Sequence, residues 1–132
     1  MFLKHTLPAF LWALFIFILT MMPGKYIPPV NIWDIANLDK LAHLFVFVVL
    51  LVLTLYGFLK QDAYKILLSY PMLIAFTLCT AYGFLLEVMQ GMLLSDRYFE
   101  WYDAVANAAG CVAGIILFKF IPQKNYFKAE RQ

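Results

Sequence analysis

Glu87 stands about seven residues inside an apolar run that ends at Leu94, roughly 10 Å along a helix. A carboxylate near the middle of a bilayer costs about 2.5 to 3.5 kcal/mol on insertion scales, so such an acid faces a helix bundle and has a partner or a task. Gln90 follows three residues later, on the same helix face. Two other places repeat this pattern. Asp39 and His43 are four apart with Lys40 between them, and Asp103 and Asn107 are four apart, so each pair shares one face of a helix. Arg97 lies in the short polar segment between the runs that carry Glu87 and Asn107.

Three kinds of chemistry suit this set. Lys40 and Arg97 can meet the phosphate of an anionic headgroup while Asp39, His43, Glu87, Gln90, Asp103 and Asn107 orient it. Acid–base catalysis is the second, with His43, Glu87 and Asp103 as candidate catalytic groups and Arg97 as charge stabiliser. The third is structural: Asp39 caps a helix and pairs with Lys40, and Glu87 pairs with Arg97. No metal or other cofactor is expected, because His5 falls on the opposite side and leaves His43 with oxygen ligands only. HExxH, a phosphate-binding glycine loop and a nucleophile elbow are all missing.

The elements that must position these groups follow from composition. Of 132 residues, 64% are hydrophobic and 14% charged, and the mean hydropathy is +0.80. No water-soluble domain of this size hides so much apolar surface, which excludes a soluble nucleotide-binding module and makes nucleic acid an implausible partner. Residues 7–22, 41–59, 66–94 and 104–121 form four apolar runs, followed by a Lys-bearing tail over 122–132. Open strands cannot survive in lipid, so the expected fold is an all-α, four-helix transmembrane bundle within one domain, 1–132. The first run is read as a retained helix, since Thr20-Met21-Met22-Pro23-Gly24 lacks small residues at signal-peptidase spacing. The third run is about 29 residues, or roughly 43 Å of helix against a hydrocarbon thickness of ~30 Å. It has to tilt, bend or overshoot, and Pro71 offers a kink or a first-turn boundary.

Seven cationic residues, Lys4, Lys60, Lys65, Lys119, Lys124, Lys128 and Arg131, fall on one side of this topology, and only Lys25, Lys40 and Arg97 fall on the other. The positive-inside bias therefore places both termini in the cytoplasm and the polar set at the outward end. Trp33, Tyr98 and Trp101 are expected interface anchors there, and Cys79 and Cys111, deep in apolar runs, packing residues. Gly110 and Gly114 share a stripe with Asp103 and Asn107, which predicts close helix packing beneath a polar layer; whether this GxxxG also seats a second copy stays open.

The order Thr20-x-x-Pro23, Asp39-Lys40-x-x-His43, Glu87-x-x-Gln90, Arg97, Asp103-x-x-x-Asn107-x-x-Gly110-x-x-x-Gly114 resembles the VanZ-like family of small membrane proteins over most of the chain. Thr20 stands where that family often has Ser. The resemblance implies a multi-pass protein of the bacterial cytoplasmic (inner) membrane, in a family whose founding member is associated with low-level resistance to the glycopeptide teicoplanin. It implies no mechanism. The partner expected from the residues is an envelope lipid or amphiphilic envelope precursor, bound by the polar set; an enzyme acting on such a lipid and a structural membrane protein without a ligand are the alternatives.

Overall fold

The computed structural model describes residues 2–21, 36–93 and 101–121, with side chains from Lys40 onward in the second stretch. Among the described residues five helices follow in order: α1 Phe2–Thr20, α2 Ala36–Lys60, α3 Lys65–Ser69, α4 Pro71–Leu93 and α5 Trp101–Phe120. There is no strand among the described residues. Four of the helices, all but α3, are long and apolar enough to cross a membrane. The protein is thus an all-helical multi-pass membrane protein, and its many exposed Leu, Phe and Ile side chains are the surface that lipid covers.

Helix boundaries depart from the apolar runs in an informative way. α1 begins at Phe2 and carries Lys4 and His5, α2 begins at Ala36, and α5 begins at Trp101. Hydropathy marks where lipid contact stops, whereas backbone hydrogen bonding continues through a polar first turn. Asp39 therefore lies inside the first turns of α2, three residues past its start, and does not occupy the cap position that the sequence suggested. The long third run is broken rather than tilted whole. α3 ends at Ser69, Tyr70 leaves helical geometry, and Pro71 opens α4, where its missing N–H costs nothing and its fixed φ fits the first turn. Before α3, a tight turn is organised by buried Gln61, which donates to the Tyr64 carbonyl at 2.8 Å and accepts from the Tyr64 N–H at 2.7 Å.

The centre of the bundle is α2. α1 runs antiparallel along it, held by Trp12 Nε1 donating to the Val46 carbonyl at 2.8 Å and by the approach of His5 to Gly57. α5 runs parallel to α2 on another side, and here the glycine stripe seats the contact. A Cβ at Gly110 would stand 2.5 Å from the Leu44 carbonyl oxygen, and one at Gly114 would stand 2.8 Å from Leu51 Cδ2 and 3.1 Å from the Val48 carbonyl oxygen. Both glycines are buried against α2 of the same chain, so the GxxxG face is filled internally. Phe47, Leu51, Leu55, Ala75, Cys79, Leu86 and Cys111 fill the core between α2, α4 and α5. α1 meets α4 through Tyr82, whose hydroxyl donates to the Ala13 carbonyl, and through Gln90. Between these helices an apolar cavity of about 220 Å³ is lined by Phe2, Thr6, Ala13, Leu50, Thr54 and Tyr82, away from the polar end.

Candidate functional site

Three helices bring their polar residues together at the end where α2 and α5 begin and α4 finishes. The register follows from the packing below. Gly83 lets the Phe47 ring and Asn107 approach α4, since a Cβ there would lie 3.0 Å from the ring and 3.1 Å from Asn107 Cβ. One helical turn further along, the same contacts set His43 of α2 beside Glu87 of α4 and beside Asn107 and Asp103 of α5. Gly83 precedes Glu87 by four residues, so this same-face spacing was open to view in the sequence, although its spatial partner was not.

His43 is the hub. Its Nδ1 lies 3.1 Å from Asn107 Oδ1, and because an amide oxygen only accepts, Nδ1–H donates there. On the other side of the ring Nε2 lies 3.8 Å from Asp103 Oδ2, while Glu87 Oε1 lies 4.0 Å from Nδ1. Two carboxyl groups thus flank one imidazole at distances longer than a hydrogen bond. The group is largely shielded from solvent: Glu87 is fully buried, Asn107 is 2% exposed and the side chain of Asp103 is 9% exposed, with His43 at 14%. His43, Glu87 and Asp103 each offer one ligand atom, all within 4.8 Å of one another, the one such group found among the described residues.

Other members of the polar set are placed differently. Gln90 is buried and donates through Nε2 to the main-chain carbonyl of Thr20 at 2.7 Å, so its amide nitrogen closes the end of α1. The Thr20 hydroxyl turns back onto the Ile16 carbonyl, leaving Thr20's own carbonyl for Gln90. Lys40 reaches over the Tyr102 ring, 5.6 Å from its centroid, at the rim of the cluster. Trp101 is exposed and packs near Phe84, as suits an interface anchor. Arg97, Trp33, Tyr98 and the side chain of Asp39 lie outside the described residues. Cys79 and Cys111 are buried free thiols in the core.

Sequence inspection did not single out Trp12, Gly57, Gln61 or Tyr82, which brace the helices that carry the site. Their partners are main-chain carbonyls, which no residue pattern marks.

Chemically, the cluster can hold a cationic or hydrogen-bond-donating group between its carboxylates, pass a proton across the imidazole, or ligate a metal ion. Neither the curated proteins nor the solved structures give a match to the chain. The family model described as VanZ/LLP1 matches residues 4–122, a span that contains every residue of the polar set and both packing glycines. The chain belongs to the VanZ/LLP1 family of membrane proteins.

Proposed function

We propose that the protein binds the polar head of an envelope lipid, or of an amphiphilic envelope precursor, at the His43 end of the bundle, and that this end faces outward from a bacterial cytoplasmic membrane. The orientation rests on the uneven distribution of Lys and Arg. The observation that carries the binding reading is the convergence of His43, Glu87, Asp103 and Asn107 from three helices into one buried group. Burying two acids at bilayer depth is costly, and the bundle already has apolar, glycine and side-chain-to-backbone contacts that hold it together. Lys40 at the rim, together with Arg97, supplies cations for a phosphate, and the carboxylates, His43 and Asn107 orient hydroxyl or amide groups of the head. Asp39 and Gln90 belong to the same end of the bundle. Altered access of a glycopeptide to its membrane-proximal target would follow from such binding.

The test is native mass spectrometry of the wild type and Glu87→Gln in mild detergent. Selective retention of one envelope lipid by the wild type, lost in a folded Glu87→Gln protein, is the expected result. No selective lipid in either protein sinks the reading and leaves the cluster as internal structure.

A second reading, favoured by the flanking of both ring nitrogens of His43, is an enzyme that modifies such a lipid, with His43, Glu87 or Asp103 in acid–base roles. It requires a turnover product. Matching lipid profiles from cells with and without the protein exclude it.

A further inference from the structure

We infer that His43, Glu87 and Asp103 form a binding site for one divalent transition-metal ion of the Zn²⁺ class. The sequence argues against a metal because His43 is left with oxygen ligands only; the fold gathers two such oxygen donors, the buried carboxyl groups of Glu87 and Asp103 on two other helices, beside that histidine and so makes a three-ligand set. Two ligand atoms of one Zn²⁺, each about 2.1 Å from the metal, lie at most about 4.2 Å apart. His43 Nε2 and Asp103 Oδ2, at 3.8 Å, already satisfy this span. Glu87 Oε1 lies 4.0 Å from Nδ1, and the three residues each offer one ligand atom within 4.8 Å of the others, so a change of Glu87 rotamer toward the Nε2 side is what completes the set.

The surroundings match what a metal-binding histidine requires. The ring nitrogen that does not face Asp103 donates to Asn107 Oδ1 at 3.1 Å, which fixes the tautomer and directs the Nε2 lone pair to the ion. Asn107 is itself held by the close approach at Gly83. One imidazole and two carboxylates make a mixed nitrogen and oxygen donor set, with three protein ligands and a position left for an outside group, as in open zinc sites. None of the three side chains is without a partner in the folded chain, so the ion competes with existing contacts, and micromolar affinity is expected rather than the tight binding of a closed structural site. A bound dication also reconciles the two carboxylates with an anionic headgroup, which they would otherwise repel. The inference rests on these side chains and not on a lipid.

The full chain, stripped with a chelator in detergent without added lipid, is dialysed against Zn²⁺ and its metal content is counted. The wild type is expected to retain about one equivalent at micromolar Zn²⁺, with affinity at least tenfold weaker in His43→Gln and in Asp103→Asn, and about tenfold weaker in Asn107→Ala. The double variant Cys79→Ser, Cys111→Ser is expected to bind as the wild type does, because the thiols lie outside the cluster. Co²⁺ added to the wild type reads the site without any substitution: visible ligand-field bands lacking a thiolate charge-transfer band support nitrogen and oxygen ligation. No retained metal, loss that follows the cysteines, a thiolate band, or unchanged affinity in both His43→Gln and Asp103→Asn overturns the inference. Lipid retention is read in a separate assay, so the two readings fail independently.

Discussion

Two layers of one helix bundle, a helical turn apart, are built on opposite principles. In the layer of Gly110, Gly114, Phe47 and Leu51, α2 and α5 approach until a single added Cβ would collide with backbone, and nothing polar intervenes except the helices' own hydrogen bonds. In the layer of His43, Glu87, Asp103 and Asn107, the same two helices together with α4 hold two buried acids around an imidazole. Close packing of small residues is how helices associate in lipid, where no hydrophobic drive separates helix from solvent. An acid in that environment is kept at a cost, which marks the polar layer as the candidate site. The lower layer gives the upper one its register, since Gly83 and Gly110 fix where Asn107 and His43 meet.

If that division holds, perturbations in the lower layer act on folding and those in the upper layer act on binding. Gly110→Leu is expected to have the largest effect, loss of the folded monodisperse protein on size-exclusion chromatography, because even a Cβ would stand 2.5 Å from the Leu44 carbonyl and backbone cannot yield cheaply. A folded Gly110→Leu protein with normal stability would break the comparison. Next comes Gln90→Ala, which lies at the polar end but serves α1. It leaves the Thr20 carbonyl short of a buried donor, an expected loss of about 1–3 kcal/mol by thermal unfolding in detergent. Gly114→Ala should be milder, about 1 kcal/mol at the low end of overpacking costs, because the nearest atom is Leu51 Cδ2, the end of a side chain that can rotate away. An equal penalty for alanine at Gly110 and Gly114 would show that backbone approach is not the controlling distance. Lys40→Ala should cost least, about 0.5–1 kcal/mol, the value of a cation over an exposed ring, and should leave the unfolding midpoint nearly unchanged.

Residue patterns exposed the upper layer well. His43, Glu87, Asp103 and Asn107 are each a polar residue inside or beside an apolar run, and the spacing of four between Asp103 and Asn107 places both on the α5 face that also carries Gly110 and Gly114. A polar side chain in lipid is conspicuous because its cost leaves few places for it. Pro71 was legible for a similar reason, since its missing N–H restricts it to a helix start. Other features left no such mark. Gln90 looks like a companion of Glu87, yet its amide is directed to Thr20 on a helix distant in sequence. Tyr82 and Trp12 are aromatic residues among aromatic residues, and only the fold shows that their O–H and N–H meet main-chain carbonyls of Ala13 and Val46. The starts of α1, α2 and α5 were misplaced inward because hydropathy reports contact with lipid and is blind to the hydrogen bonds that carry a helix past it. Asp39 moved from cap to first turns for that reason.

The contrast between the two layers is tested most directly by the unfolding midpoint of Glu87→Gln beside that of the wild type, both delipidated in the same detergent. The substitution keeps the shape and replaces the buried carboxyl group with a neutral amide. A residue retained for binding rather than folding predicts an unchanged or raised midpoint. A fall as large as that caused by Gln90→Ala would contradict the account, and would place Glu87 among the contacts that hold the bundle together.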